Sequence, residues 1–302
     1  MQRPAGQAGE SGIVATPASE PGSQRIRRPG PPTLFAACSN SGAITYDNRM
    51  PSPAPTVRIQ FHANLNDFLG KRLRQRVFEH MIHKRPSVKD LIESLGVPHP
   101  EVDIILVEGL SVDFSHPIDG GQRIEVYPHG FRHGDTPVHN QPAVEQPARF
   151  VLDVHLGKLA GYLRLMGFDT LYRNDYDDPE LARIARQKQR ILLTCDRRLL
   201  MRKQVLWGYY VRSRRPRDQI DEVMARFKLH HQRTGVAGCL ECNGIIRAID
   251  KQDILDRLQP LTRQYYDDFY QCDECHKIYW EGSHFERMRD LRQSILHAAE
   301  EP

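Results

Sequence analysis

The strongest chemical signal in this 302-residue sequence is a set of four cysteines in two Cys-x-x-Cys pairs. The pairs are Cys239 with Cys242 and Cys272 with Cys275. A Cys-x-x-Cys turn directs two thiolates towards one point, so two such turns supply the four soft ligands of a tetrahedral zinc ion. Because thiolates fill all four coordination positions, none is left for a reactant, and the sequence predicts a structural zinc site.

Other uses of these cysteines are weaker interpretations. Two local disulfides are the first alternative, and a redox-active pair is the second, although a redox site needs only one pair. The N-terminus lacks the order of charged and then apolar residues of a secretory signal, which favours the cytoplasm, where thiols stay reduced. Cys38 and Cys195 stand alone in the sequence.

Three aspartates form the second chemical signal. Asp153 ends an expected apolar strand, Asp196 follows another strand, and Asp178 opens a helix. Ligands of an open parallel sheet bind beyond the carboxyl ends of its strands. Carboxylates gathered at such an edge repel one another unless a cation lies between them, and Mg²⁺ or Mn²⁺ prefers these oxygen ligands. Such an ion can activate water and stabilise the leaving oxygen of a phosphodiester, which predicts a metal-dependent nuclease.

Helix capping is the competing interpretation of these acids, because aspartate is a good N-cap. Taken singly, Asp178 is better explained as the cap of a helix that begins at Pro179, and Asp175 or Asp177 could fill its place in an acidic cluster. Asp153 is different, since an acid that ends an apolar strand is hard to explain by capping alone.

The charge of the chain is unevenly distributed. Residues 149–235 contain nineteen Lys and Arg against ten Asp and Glu, a local excess of nine positive charges, whereas the whole chain has a net charge of +4. This segment suits a polyanionic partner such as nucleic acid. A solvated surface with spare arginines is the plainer alternative. No run of apolar residues is long enough for a transmembrane helix.

The elements that must position the acids alternate between strands and helices over 149–235, which predicts an α/β domain with a parallel sheet. Its expected strands are 149–153, 168–172, 191–194 and 209–212. The chain before it divides into an unstructured tail, 1–55, a small α+β domain, 56–128, and a linker, 129–148. The α+β domain shows two strands, a helix that Ser87 caps, and two more strands. The cysteine module and a final helix occupy 236–302.

Several runs of residues resemble one family. The first runs from Phe150 through Asp153 to Leu163–Thr170. The second is Ile191-Leu192-Leu193-Thr194-Cys195-Asp196-Arg197-Arg198-Leu199-Leu200, and the third is Tyr279-Trp280-Glu281-Gly282-Ser283-His284. Together they resemble the Mut-seven C-terminal RNase domain, a branch of the PIN-like nucleases with an added zinc ribbon. The segment 57–128 is similar to the ubiquitin-like β-grasp domain that often precedes this RNase domain in bacterial proteins.

The resemblance implies cleavage of RNA with Mg²⁺ or Mn²⁺ held by an acidic cluster. Asp153, Asp178 and Asp196 correspond to the acids of that cluster. Lys158, Arg164 and Arg197 are then the expected substrate-binding cations. The family usually has Arg where this chain has Cys195, and Arg197 is a candidate substitute for that cation. His276 and His284 are expected to be neighbours of the zinc or RNA contacts. The β-grasp segment is also distantly similar to sulphur carriers, but it continues past Pro128 instead of ending in Gly-Gly, so sulphur transfer is not expected.

Two other functions compete with the nuclease. The chain could be a non-catalytic RNA-binding module in which the acids are remnants. It could also act through a protein partner that docks on the β-grasp domain.

Overall fold

The computed structural model describes residues 54–131, 137–232 and 238–297. Cys38 and nearly all of the expected tail, 1–55, lie outside these ranges. None of the helices within them is long and apolar enough to cross a membrane.

A five-stranded sheet with one helix forms the first part of the described chain. Its strands, in the spatial order β2-β1-β5-β3-β4, are β1 (Thr56–Phe61), β2 (Phe78–Met81), β3 (Val102–Val107), β4 (Leu110–Val112) and β5 (Arg123–Pro128). β1 and β5 pair in parallel and the other neighbours are antiparallel. The alternation expected at the start is confirmed, because Val57, Ile59 and Phe61 point into the core.

Helix α1 (Val88–Ser94) packs on this sheet and begins as the sequence predicts. The Ser87 hydroxyl accepts a hydrogen bond from the Asp90 N–H at 3.2 Å. The short strand β4 was not among the expected elements. It follows a turn at Glu108 and Gly109, where both residues have positive φ, and it pairs back onto β3.

A four-stranded sheet in the order β7-β6-β8-β9 forms the second part, and all its strands are parallel. The strands are β6 (Phe150–Leu152), β7 (Thr170–Leu171), β8 (Ile191–Thr194) and β9 (Gly208–Tyr210), and the helices are α2 (Gly157–Leu165), α3 (Asp178–Gln187), α4 (Arg197–Leu200) and α5 (Pro216–Arg226). The predicted parallel α/β fold is confirmed, with strands one to three residues shorter than expected, apart from β8, whose bounds are as expected.

Both faces of this sheet are buried, which explains why its strands read as unbroken apolar runs. Phe150 and Leu152 of β6 enter a core shared with α2 and α5, whereas Val151 between them enters a core shared with α3 and α4. Because both faces are apolar, the polar residues of the central strands lie at their carboxyl ends, at Asp153 after β6 and at Thr194 in β8.

The third sheet is antiparallel, in the order β10-β11-β12, and carries the second pair of cysteines. Its elements are β10 (Ile246–Ile249), α6 (Pro260–Tyr265), β11 (Phe269–Cys272) and β12 (Ile278–Trp280), followed by α7 (Ser283–His297). Helix α7 returns to the α/β sheet, because Ile295 is fully buried in the core around α2 and α5.

Candidate active site and cysteine cluster

Asp153 lies at the carboxyl end of β6, in the middle of the parallel sheet, and is only 5% exposed. Its Oδ1 accepts a hydrogen bond from the His155 N–H at 2.8 Å, which caps a short 3₁₀ turn. Its Oδ2 accepts the hydroxyl of Thr194, the last residue of the neighbouring strand β8, and the N–H of Cys195, which follows that strand, at 2.9 Å. Capping therefore explains one oxygen of this carboxylate and not the other.

Thr194 connects Asp153 to Asp196. Its buried hydroxyl donates to Asp153 and accepts the N–H of Asp196 at 2.9 Å. Asp196 is exposed and caps α4, since its Oδ1 accepts the Arg198 N–H at 2.7 Å. Asp196 is thus the N-cap of α4, and its part in a metal site stays a prediction. Its position next to the Asp153 carboxylate follows from the parallel pairing of β6 and β8.

The interpretation of Asp178 as a helix cap is wrong. The cap of α3 is Asp177, whose Oδ1 accepts the Glu180 N–H at 2.8 Å, and Asp178 is the first residue of the helix. The side chain of Asp178 is 46% exposed and lies 3.7 Å from a guanidinium nitrogen of Arg202. Nearby, Asp175 is bonded to Arg173.

The described residues do not gather the three expected acids into one site. Within 54–131, 137–232 and 238–297, the single group of three or more Cys, His or acidic residues with ligand atoms within 4.8 Å of one another is the four cysteines. The shared site of Asp153, Asp178 and Asp196 stays a prediction.

Glu222 is a carboxylate near this edge that the sequence did not reveal. It comes from the middle of α5, and its Oε1 accepts the Tyr209 hydroxyl at 2.8 Å and the Arg212 N–H at 3.0 Å. Its Oε2 accepts the Ser213 N–H at 2.9 Å, so it is held at the end of β9. An acid that follows an apolar strand is recognisable in the sequence, whereas Glu222 lies within a helix. Its position next to Val223, which is buried, is the one feature of the sequence that could have suggested that it contacts the sheet.

The thiol of Cys195 is near two of these carboxylates. Partial burial, followed by the negative charges of Asp153 and Glu222, raises the pKa of Cys195 to about 11. Its Sγ lies 3.5 Å from the carbonyl oxygen of Val211. At neutral pH this position therefore carries a neutral thiol instead of a cation.

The three expected substrate-binding cations have different surroundings. Lys158 is exposed on α2, and Arg197 is exposed at the carboxyl edge, where its Nη1 donates to the Phe68 carbonyl at 3.1 Å. Arg164 does not fit the expectation, because it is 2% exposed. Its guanidinium donates to backbone carbonyls of the α/β domain and of the cysteine module, namely Thr170 at 3.0 Å and Leu240 and Glu241 at 2.8 Å each.

The four cysteines converge, as their spacing predicts. Sγ atoms of Cys239 and Cys275 lie 3.5 Å apart, and those of Cys242 and Cys272 lie 3.4 Å apart. A tetrahedral zinc ion with bonds of about 2.3 Å places its sulfurs about 3.8 Å from one another. The thiols are free, and these short approaches join different Cys-x-x-Cys pairs, which local disulfides would not do. The cluster is compatible with a zinc ribbon.

Both cysteine turns have the same backbone geometry. The residue after each pair, Asn243 or His276, has positive φ and donates its N–H to the carbonyl of the first cysteine, at 2.8 and 3.0 Å. His276 is therefore a turn residue. Gly244 follows the first turn, and a Cβ there would lie 2.8 Å from the Sγ of Cys272, so a side chain would collide with a ligand atom. The side chain of His284 lies outside the described set.

Hydrogen bonds around the sulfurs favour thiolates on one side of the cluster. Burial alone raises the pKa of Cys239, but donation from the Tyr279 hydroxyl at 3.0 Å and from backbone N–H groups outweighs it and lowers the pKa to about 6. At Cys242 the Gly244 N–H, 3.4 Å from Sγ, acts in the same direction, but burial outweighs it and raises the pKa of Cys242 to about 12. The donors therefore favour the negative charge that zinc ligation requires at Cys239.

The cysteine module is bonded to the edge strand of the parallel sheet. The side chain of Asn243 accepts the Thr170 N–H at 2.9 Å and donates to Asp169 at 2.7 Å. Asp169 in turn pairs with the buried Arg190 at 2.6 Å. Together with Arg164, these contacts fix the first cysteine turn to strand β7.

Comparison with known families identifies both parts. The family model described as the Mut7-C RNAse domain matches residues 148–292, and the one described as Mut7-C ubiquitin matches residues 54–133. The chain carries a Mut7-C RNAse domain and a Mut7-C ubiquitin domain. No curated protein and no solved structure matches it.

The Mut7-C RNAse match spans the parallel sheet, the acidic edge and all four cysteines. The Mut7-C ubiquitin match spans the whole five-stranded sheet. The architecture expected from the sequence motifs is thereby confirmed, and a nuclease or RNA-related function follows for the chain at the level of the family.

Proposed function

We propose that the chain is a metal-dependent ribonuclease whose reaction takes place at the carboxyl edge of the parallel sheet. The observation that carries this proposal is the hydrogen-bonded link from Asp153 through Thr194 to Asp196, on two central strands of a Mut7-C RNAse domain. An isolated helix cap has no need of a buried second carboxylate on the adjacent strand.

Asp153 and Asp196 are the residues that would hold Mg²⁺ or Mn²⁺. A carboxylate offers about four lone-pair directions, and the Asp153 carboxylate uses three of them on hydrogen-bond donors. The fourth, on Oδ1, is left for a cation, which would have the exposed His155 imidazole beside it, since its Nδ1 lies 3.4 Å from Oδ1. The three donors fix its orientation before any ion arrives. When bound, Mg²⁺ or Mn²⁺ supplies charge stabilisation for the phosphodiester and lowers the pKa of water. Asp178 would join this site only after Arg202 releases it.

Exposed cations around the edge would hold the RNA backbone. Lys158 lies on the helix that follows Asp153, and Arg197 directly follows Asp196. Both cations are therefore within a few residues of an acid along the chain, and each can neutralise a phosphate of the RNA backbone. We leave Arg164 out of this surface, because its donors are already used on buried carbonyls.

The zinc ion would be structural. Four cysteine sulfurs fill a tetrahedral site, so no position remains for a reactant. The contacts of Arg164 and Asn243 would let the ribbon brace the edge of the nuclease sheet. We further propose a cytoplasmic location, where free thiols bind metal instead of oxidising.

A non-catalytic RNA-binding module is the second candidate. It is favoured by the lack, among the described residues, of a group of three acids with ligand atoms within 4.8 Å of one another, and by the neutral thiol at Cys195. Docking of a protein partner on the ubiquitin domain is compatible with either candidate.

The decisive experiment compares cleavage of labelled single-stranded and hairpin RNA by the wild type in Mg²⁺, Mn²⁺ or EDTA with cleavage by Asp153→Asn. The matched control is Asp119→Asn, which removes an exposed acid of the ubiquitin domain paired with Arg85. We expect metal-dependent cleavage that Asp153→Asn reduces at least about 100-fold and the control retains. RNA binding without cleavage in any metal would establish the non-catalytic candidate instead.

A further inference from the structure

The loop between β1 and β2 carries a dense cluster of positive charge. The segment 70–76 reads Gly-Lys-Arg-Leu-Arg-Gln-Arg and contains four cations and no acid. Lys71, Arg72 and Arg76 are exposed, and no ion pair joins them to any other described residue. We name residues 70–76 the basic loop. A cluster of this kind suits a polyanion.

The basic loop has a fixed conformation. Arg74 donates from its Nε to the Leu69 carbonyl at 2.9 Å and from its Nη2 to the Asp67 carbonyl at 3.3 Å. The Gln75 N–H donates to the Asn66 side chain at 2.6 Å. These bonds close the loop on itself, so the cost of ordering its backbone is already met by the fold.

The ubiquitin domain packs against strand β9, and part of the contact lies at the carboxyl edge of the nuclease sheet. Glu101, which is 1% exposed, accepts the Tyr210 N–H at 2.6 Å and pairs with Arg212 at 3.1 Å. Arg212 also pairs with Asp67 at 3.1 Å. Tyr210 is the last residue of β9 and Arg212 follows it, so these contacts are made at the edge that carries the acids.

Aromatic and histidine contacts extend this interface. The rings of Phe68 and Tyr210 meet edge to face with centroids 5.4 Å apart. An imidazole nitrogen of His99 lies 2.8 Å from the Val205 carbonyl oxygen. Buried ion pairs, aromatic packing and backbone bonds together hold the basic loop at a defined place beside the sheet.

A cleft of about 380 Å³ lies between the basic loop and the acidic edge. It is lined by Asp67, Phe68, Leu69, Gly70, Arg74, Arg197 and Tyr210. Arg197 is the residue after Asp196, so one wall of the cleft adjoins the acidic edge. Both walls supply guanidinium groups, which match phosphate geometry.

We propose that the basic loop of the ubiquitin domain binds the phosphate backbone of the RNA strand on which the nuclease edge acts. This rests on the proposed function, and it gives the ubiquitin domain a substrate-binding role within the same chain. Lys71 and Arg72 would neutralise phosphates on one side of the cut bond, while Arg74 and Arg197 line the path between them and Asp196.

The test measures binding of a single-stranded oligoribonucleotide by fluorescence anisotropy in EDTA, across a salt series, for the full chain. The variant is Lys71→Ala/Arg72→Ala, which removes two exposed charges without touching the core. The matched control is Arg186→Ala/Lys188→Ala, which removes two exposed charges where α3 ends, at the amino edge of the sheet.

We expect the loop variant to bind about tenfold more weakly and to reduce the salt slope of log affinity by about 1.4, or 0.7 for each lost phosphate contact, while the control stays like the wild type. Equal affinities and slopes for the loop variant and the control would overturn the inference while leaving the nuclease intact. If the wild type binds no RNA at all, the proposed function fails together with this inference, and the cleavage assay with Asp153→Asn reports the failure separately.

Discussion

Thr194 donates its hydroxyl proton to the carboxylate of Asp153 across two neighbouring parallel strands. The same hydroxyl accepts the N–H of Asp196, so one side chain sets the relative position of the two acids. A helix cap alone has no need of this arrangement, whereas a cation site needs both carboxylates oriented before the ion binds.

Thr194→Val should separate this orienting role from the general packing of the strand. The change keeps the shape of the side chain but removes the hydroxyl, so we expect a loss of about 1–2 kcal/mol in the free energy of unfolding. Because Asp153 loses one of its donors, RNA cleavage should fall about 10- to 100-fold. Urea unfolding and initial cleavage rates measure the two effects. Thr194→Ser restores the hydroxyl and is the control; equal cleavage by both variants would contradict the role of the hydrogen bond.

The thiol of Cys195 should be unusually slow to react. Its pKa is raised to about 11 by burial and by the charges of Asp153 and Glu222. Only the thiolate reacts, so the raised pKa lowers the reactive fraction at every pH below it. Iodoacetamide labelling of this residue, followed by peptide mass spectrometry, should accelerate about tenfold per pH unit from roughly pH 8 to 10. A rate that levels off near pH 9 would show an ordinary thiol.

The cysteine cluster should hold about one zinc ion per chain, measured by elemental mass spectrometry of the purified protein. Cys272→Ser should lose the metal and lower the melting temperature, because the ligand lies at the end of β11 and its loss frees the second turn. Cys195→Ser removes a cysteine from outside the cluster and should keep the full zinc content. Full zinc in the Cys272 variant would contradict the four-sulfur site.

Arg164→Met should destabilise the fold without removing an RNA contact. Three backbone carbonyls lose their donor, two of them on the cysteine module, so we expect a loss of about 3 kcal/mol in the free energy of unfolding. The exposed Arg183 provides the control, because Arg183→Met should change stability by no more than about 0.5 kcal/mol. Unchanged stability with weakened RNA binding would restore the interpretation of Arg164 as a substrate contact.

The architecture was readable from the sequence because its signals are local. Strand alternation at Val57, Ile59 and Phe61 and the cap at Ser87 depend on neighbours within a few residues. The spacing of the cysteines likewise fixes which thiols can meet. The three-residue strand β4 gives too short a pattern to distinguish from a turn.

The surroundings of individual side chains were less predictable, because they depend on tertiary contacts. The sequence predicts Asp178 as the N-cap of α3, whereas the N-cap is Asp177. Sequence patterns do not resolve a difference of one residue at a helix end. Arg164 reads as a surface cation until the cysteine turn, more than seventy residues later, is folded against it. Glu222 reaches the acidic edge from a helix whose pattern gives no sign of it.

The central claim is that Asp153 and Asp196 hold the catalytic metal, and a crystal structure with Mn²⁺ tests it most directly through the anomalous signal of the ion. We predict a Mn²⁺ peak within coordinating distance of a carboxylate oxygen of each, roughly 2.0–2.3 Å. Asp153→Asn should weaken or abolish the peak. A Mn²⁺ ion bound elsewhere, or none at this edge at saturating concentration, would contradict the account.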